Sequence, residues 1–396
     1  MRIAVPICRP RAPHLLIAFT SSGSVAFYSG LYKRLLGRGI HVSVVSSTGP
    51  ELDQARLEGA SVCPVPMKRE ISPWHDLVSL WRLYRLMLSV RPDITNVGTP
   101  KAGLLGGLAA LMAGIPHRVY TLHGLRLETT QGTKRRLLMF TERLACFCAH
   151  RVYCVSPSLR NRAIDLGLVK PEKTVIVGPG TCRGVDAARL RASKETQRDA
   201  DVLRRRLEIE KDERVIGFVG RFTRDKGVSE LYRSFVQLRA RHSNLRLLLV
   251  GDYERGDPID EATRMAIEGD SGVLRTGFVP DVSDYYHVMD ICVLPTHREG
   301  FPGVLLEAQA AGVAVVTTDA TGAIDAVLDR RTGLIVPVGD VNALCEAIGS
   351  LLADSALRKR MGEAGRAWVE STFQKETVWA AYLETYEEQL SLQGFA

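Results

Sequence analysis

Short runs of β-branched and aliphatic residues alternate along the chain with longer segments whose apolar residues recur every three or four positions. That is the pattern of β-α units stacked around parallel sheets. In the first half the runs predict strands near residues 14–20, 40–46, 61–65, 93–97, 117–122, 151–155 and 173–177, enough for one doubly wound sheet. A polar helical stretch from Thr196 to Glu210 leads into a second series at 214–219, 245–250, 273–277, 291–294, 314–317 and 334–336. Between the two series, Gly178-Pro179-Gly180-Thr181-Cys182-Arg183-Gly184 breaks both periodicities and marks a boundary. The expected division is a first α/β domain over 1–185, a second over 186–374, and a closing helix within 375–396 that packs back on the first. Val378, Trp379, Tyr382, Leu383, Tyr386 and Leu390 give that helix its apolar side.

The length of 396 residues suits two domains, and 45% hydrophobic with 24% charged residues excludes disordered, collagen-like and disulfide-scaffold classes. Charge divides unevenly. Residues 1–190 hold 26 Lys and Arg against 11 Asp and Glu, a net of +15, whereas residues 191–396 carry a net of −7. A basic first half suits anionic lipid or a phosphorylated substrate, and the acidic second half argues against a nucleic-acid partner. Eight cysteines without a Cys-x-x-Cys pair read as reduced thiols of a cytosolic chain. The stretch Ala102 to Pro116 is too short and Gly-rich to span a bilayer. Arg2, Arg9 and Arg11 form a basic extension, and Leu15 to Phe19 is too short for a signal peptide. The segment Trp74 to Val90, with Arg82 and Arg85, reads as an amphipathic helix packing on the core in preference to a membrane anchor.

In open α/β sheets ligands bind beyond the carboxyl ends of the strands, so the loops after strands are where chemistry is sought. The run Gly220-Arg221-Phe222-Thr223-Arg224-Asp225-Lys226-Gly227 follows a strand and opens a helix, and two cations with helix amides there suit a diphosphate. A solvated charged turn is the alternative. A second loop, Pro295 to Gly303, carries Glu299, with Glu307 eight residues on inside the helix that follows. A carboxylate at a cleft can grip the vicinal hydroxyls of a sugar; the alternatives are a helix-start carboxylate for Glu299 and a surface residue for Glu307. Asp199-x-Asp201 looks like a metal-binding pair but falls in the polar linker helix, and no metal or cofactor is expected.

Together, Gly220-Arg221-x4-Lys226-Gly227 and Glu299-Gly300-Phe301-Pro302-x-Val304-Leu305-Leu306-Glu307-Ala308 strongly resemble the family 4 retaining glycosyltransferases of the GT-B fold, two Rossmann-like domains facing across a cleft. Gly312 to Val316, Thr332 to Pro337, Gly339-Asp340 and Met361-Gly362-x2-Gly365-Arg366 extend the likeness over nearly all of the second domain. The resemblance implies that Arg221 and Lys226 hold a donor diphosphate and that Glu307 binds ribose hydroxyls. It implies that Glu299 and the backbone of Gly300, Phe301, Pro302, Gly303 and Val304 position the sugar, with Gly220 in the diphosphate loop. The base, uridine in most similar proteins, would lie near Gly277-Phe278-Val279, so Phe278 joins the donor-binding set.

In the first domain, Thr99 to Gly106, Tyr120 to Arg126 and Val155-Ser156-Pro157-Ser158 resemble members that build bacterial capsule, exopolysaccharide or O-antigen. Lys101 and Arg126 are the acceptor-side candidates there. The amides of Ser22-Gly23-Ser24 either meet the donor phosphates or form an ordinary helix cap. His123, at a strand end, contacts the donor sugar or serves as a general base. The function implied is transfer of a hexosyl unit, with retention, to a glycan on a lipid diphosphate at the inner face of the cytoplasmic membrane. A nucleotide-sugar 2-epimerase of the same fold and a non-catalytic sugar-nucleotide or glycan-binding subunit are the other readings.

Overall fold

A computed structural model describes residues 12–254, 256–392 and 394–395, so Arg2, Cys8, Arg9 and Arg11 lie outside the described residues. The first seven strands are β1 (His14–Ala18), β2 (His41–Ser46), β3 (Ser61–Pro64), β4 (Ile94–Gly98), β5 (His117–Leu122), β6 (Arg151–Cys154) and β7 (Thr174–Val175). They form a parallel sheet in the order β3-β2-β1-β4-β5-β6-β7. The next six are β8 (Arg214–Val219), β9 (Leu245–Val250), β10 (Val273–Arg275), β11 (Ile291–Leu294), β12 (Ala314–Thr318) and β13 (Gly333–Val336), ordered β10-β9-β8-β11-β12-β13. Central strands such as β4 and β12 are buried throughout, because helices cover both faces of a parallel sheet. At the edges β7 and β10 are shorter than the expected 173–177 and 273–277. The linker helix also begins earlier than its composition predicts, at Lys194–Arg206, where a capping box between Ser193 and Thr196 starts it.

Each sheet reverses its strand order once, between β1 and β4 in the first and between β8 and β11 in the second. Loops diverge at these switch points and leave a crevice at the strand ends. At the first of them Thr99 has φ 70°, an outlier for a β-branched residue, held by hydrogen bonds of its Oγ1 to Thr20 N (3.1 Å) and Thr20 Oγ1 (2.7 Å).

Two hydrophobic cores underlie the two sheets. One runs from Leu15 to Cys182 and takes in Val378, Tyr382, Tyr386 and Leu390 of the helix Lys375–Ser391; the other runs from Val185 to Phe373. The chain therefore crosses between domains twice, and the crossings are joined: Val185 N donates to Phe373 O (2.8 Å) and Lys375 N to Val185 O (3.2 Å). The returning helix is anchored in the first sheet by Asn96, whose Nδ2 donates to Tyr386 Oη (2.6 Å) while its Oδ1 accepts from Thr121 Oγ1 (2.7 Å).

The Trp74 to Val90 segment is a helix, Pro73–Val90, that packs on the first core through the buried Ser79, Leu83 and Met87 and the partly buried Leu80, Tyr84 and Leu86. It packs on the core as expected, while Trp74, Leu77 and Trp81 face outward. The helix is apolar on both sides, and one side suffices to pack on the neighbouring helix Pro100–Met112.

Beneath the helix Gly132–Cys148, the buried Glu142 accepts a hydrogen bond from Tyr120 Oη (2.8 Å), yet burial pushes its carboxyl up to about 7. The folded state thus prefers the protonated acid. Its stabilising contribution is full below the ordinary glutamate range and is lost as pH rises to about 7, by about 3 kcal/mol in all. Urea denaturation of Glu142→Gln across pH 4 to 8 should show a flatter pH dependence than the parent on the alkaline side; parallel profiles would place the titration elsewhere.

Candidate active site

The loop after β8 is shaped by a short 3-10 turn, Arg224–Lys226, and by Gly227 at φ 71°, where a Cβ would fall 1.9 Å from Pro295 O. Only glycine lets this turn lie against the end of β11 and start the helix Val228–Arg239. The result brings Lys226 to Glu299, and Nζ and Oε1 form an ion pair with both side chains largely buried. Arg221 pairs with Glu254, in the loop after β9, and the same carboxylate also takes Arg69 of the first domain. Burial and the adjacent Arg69 charge lower the Arg221 pKa, the electrostatic cost of crowding cations here.

Behind this loop stands Asp225. Burial works to raise its pKa, but Arg298 Nη2 (2.6 Å) and Thr223 Oγ1 (2.6 Å) hold it below the usual carboxylate range. Arg298 Nε donates to Thr129 Oγ1 of the first domain at 2.9 Å, so one guanidinium ties the loop after β8, the Glu299 loop and the opposite wall together. Three further contacts bridge the cleft: Thr321 Oγ1 to Glu128 Oε1 (2.8 Å), Gly322 N to Ser158 Oγ (2.7 Å) and Ser158 N to Asp325 Oδ2 (2.9 Å). Backbone meets backbone as well. A Cβ on Gly300 would come within 2.3 Å of the His123 carbonyl oxygen, and one on Gly322 within 2.4 Å of the Gly300 carbonyl oxygen.

Glu307, in the helix Gly303–Ala310 that Gly303 and Val304 open after Pro302, accepts from Tyr286 Oη (2.8 Å) and lies 3.5 Å from Arg183 of the crossover. It is a supported carboxylate at the hinge and not a free surface residue. Phe301 packs against both cores, with its ring 5.4 Å from Phe373, so its side chain is a wedge between domains and only its backbone faces the loop. Gly220 (φ 150°) ends β8. Phe278 lies beyond β10 with its ring 79% exposed.

On the first-domain side, Gly23 lies in the 3-10 helix Ser22–Tyr28, over the Glu51 carboxylate, whose Oε2 is buried with no partner. His123 Nε2 is likewise buried and unpartnered, while Nδ1 lies 3.7 Å from Cys182 Sγ. Burial lowers the His123 pKa to about 4, which leaves it neutral and a weak proton acceptor at neutral pH. Lys101 is engaged by Asp76 Oδ1 (2.7 Å) and the Glu70 carbonyl, and Arg126 by Glu70 Oε1 (3.3 Å), so both converge on one segment at the rim of the first domain. Asp199 and Asp201 lie exposed on the linker helix, away from these loops.

The model of the glycosyl transferases group 1 matches residues 213–354, and that of the glycosyl transferase 4-like domain matches residues 22–180. The capsular polysaccharide biosynthesis glycosyltransferase CapM of Staphylococcus aureus is 39% identical over 361 residues, which cover 91% of this chain and 93% of that protein. The chain belongs to the group 1 glycosyl transferases. A relative from Campylobacter jejuni, an N,N'-diacetylbacillosaminyl-diphospho-undecaprenol α-1,3-N-acetylgalactosaminyltransferase, is 25% identical over 94% of this chain and 98% of its own length. The fold matches that of Anabaena HepE, crystallised with UDP and glucose, with a TM-score of 0.78 at 19% identity over 94% of this chain and 99% of that one.

In this glycosyltransferase the loops at both switch points meet in one crevice, with Arg221, Lys226, Glu299 and His123 on its walls. Such a place can take an anion at Lys226 and Arg221 in exchange for their carboxylates. Sequence reasoning missed Arg298, Asp225, Glu254, Tyr286 and Arg183. The first two had a signal, since Arg298 precedes Glu299 and Asp225 precedes Lys226; the others act through contacts between residues far apart in the chain.

Arg221→Ala and Lys226→Ala should each lower turnover about a hundredfold, the loss expected when one donor to developing negative charge is removed. Turnover is measured on variants shown by circular dichroism to be folded, and near-normal rates would remove these residues from the diphosphate site.

Proposed function

We propose that the protein moves a hexosyl unit from a UDP-sugar to a hydroxyl of a glycan carried on a lipid diphosphate, with retention of configuration, in the synthesis of a bacterial surface polysaccharide. The observation that carries this reading is two neighbouring ion pairs at the second switch point, the largely buried Lys226 with Glu299 and the half-exposed Arg221 with Glu254. A nucleoside diphosphate entering there exchanges one set of anions for another, so the cations that its phosphates require are already partly desolvated and aimed. Glu299, released from Lys226, then faces the sugar hydroxyls. Glu307, braced by Tyr286, takes the ribose, and the exposed Phe278 ring offers a face to the base. Retention follows if the acceptor oxygen attacks from the side the diphosphate leaves. The bond from the anomeric carbon to the phosphate oxygen breaks, the bond to the acceptor oxygen forms, and the acceptor proton passes to the departing phosphate. A His123 held neutral at about 4 suits a hydrogen-bond partner of the sugar better than a base.

Cations in the loop serve the leaving diphosphate, so the reaction needs no divalent metal on this reading. CapM's role in capsule synthesis and the undecaprenyl diphosphate named for the Campylobacter relative's substrate support the pathway and the acceptor; UDP in HepE supports the base. The acceptor places the work at the inner face of the cytoplasmic membrane. No helix of the described residues is long and apolar enough to cross it, which fits peripheral attachment.

The test is a panel of radiolabelled UDP-sugars incubated with the protein in EDTA, with and without bacterial membrane extract. Label should enter the lipid fraction only when extract is present, and EDTA should leave the rate unchanged. Conversion of the donor sugar without extract would make the protein an epimerase, and rescue of a dead EDTA reaction by manganese would overturn metal independence.

A further inference from the structure

The helices Pro73–Val90, Pro100–Met112 and Gly132–Cys148 follow β3, β4 and β5, so right-handed crossovers place all three on one side of the first sheet. The middle helix packs against both of its neighbours, and the outer two carry apolar residues that nothing among the described residues covers. On Pro73–Val90, Trp74, Leu77 and Trp81 share one stripe at i, i+3 and i+7, with Trp74 74% and Trp81 61% exposed. On Gly132–Cys148, Phe140 and Phe147 are 63% and 71% exposed and alternate with Arg136 and Arg143 along one face.

Charge on this layer is of one sign. The three helices hold seven Lys and Arg but only two acids, and both acids are engaged: Asp76 pairs with Lys101, and Glu142 is buried against Tyr120. Arg85 lies 5.7 Å over the Trp81 ring, so a cation travels with the aromatic stripe. Each helix begins where a strand ends, which puts Trp74 and the run Lys134-Arg135-Arg136 toward the cleft.

We propose that this helical face docks the protein on an anionic lipid bilayer, with Trp74, Trp81 and Phe140 entering the headgroup region and the arginines between them meeting lipid phosphates. Aromatic rings interleaved with cations fit that occupant: a second copy of the chain would set like charges against each other, and a nucleic acid would gain nothing from Leu77. The proposal deepens the reading that the acceptor is lipid-linked, and it presents the cleft rim at Lys101 and Arg126 to the surface where such an acceptor lies. It also divides the basic residues of the first domain. Arg34 is 4.9 Å over Trp379 and 3.8 Å from Glu376 on the returning helix, and Arg69 pairs across the cleft, so neither belongs to this face.

Co-sedimentation with phosphatidylglycerol and phosphatidylcholine vesicles, without donor or acceptor, tests docking apart from transfer. The protein should bind phosphatidylglycerol at low salt and leave it as salt rises, and brominated lipid should quench its tryptophan emission. Trp74→Ser with Trp81→Ser, or Lys134→Gln with Arg136→Gln, should weaken partition at least about tenfold, whereas Lys33→Gln with Arg34→Gln on the opposite side should not. Absence of binding, equal binding to both lipids, or binding that these face variants leave unchanged would overturn the proposal. Because a transfer assay is separate, docking can fail while sugar transfer stands, and transfer can fail while docking stands.

Discussion

The backbone at Glu299 and Gly300 is pressed between the strand-end residues His123 and Gly124 of one domain and Gly322 of its own, with no room for a side chain at Gly300. Close backbone packing of this kind has no rotamers to relax, so it leaves the loop little freedom of position. Glu299 emerges from that pinch already aimed at Lys226. Arg298, one residue earlier, reaches Asp225 in the loop after β8 and Thr129 across the cleft. Two domains with separate cores are thereby registered at the place where chemistry requires them to agree.

Electrostatics explains why the site is costly and why it is built nonetheless. Arg69, Arg221, Lys226 and Arg298 stand close together, partly shielded from water, and each is matched by a carboxylate of Glu254, Glu299 or Asp225. Truncating one partner of the two largely buried pairs, Lys226–Glu299 and Arg298–Asp225, leaves the other charge subject to the desolvation penalty. The pairs at Lys226 and Arg221 differ from Arg298–Asp225 in one respect. Asp225 is buried at 5% exposure and braced by Thr223, which makes it a structural anion, while the Glu254 and Glu299 carboxylates bond to the cations alone. The two crossovers, bound together through Val185 and Phe373 with Arg183 reaching Glu307, place a hinge directly behind these loops.

Much of this was legible because parallel sheets write themselves plainly: buried strands such as Ala314–Thr318 are continuous β-branched runs, and motif residues at Arg221, Lys226 and Glu299 fall in loops that topology sends to the switch points. The individual long-range contacts were not legible. Arg69–Glu254, across the cleft, joins residues 185 apart, and Asn96–Tyr386, which anchors the returning helix, joins residues 290 apart, and no local pattern encodes a partner at that distance. His123 read as a strand-end histidine, but its low pKa comes from burial among Phe19, Phe27 and Cys182, which the strand-end position alone does not reveal. The helix Pro73–Val90 packs on the core as its pattern suggests, but where both sides carry apolar residues periodicity does not report which side the fold uses.

The central claim is that cations at the second switch point receive the donor diphosphate without a metal. Isothermal calorimetry of UDP and of uridine in EDTA isolates that contribution, because the two ligands differ only in the phosphates. Two charge-assisted contacts should make UDP bind about a hundredfold or more tighter, with most of that margin lost in Lys226→Ala. Equal affinity for UDP and uridine, or a margin that Lys226→Ala leaves intact, would contradict the account.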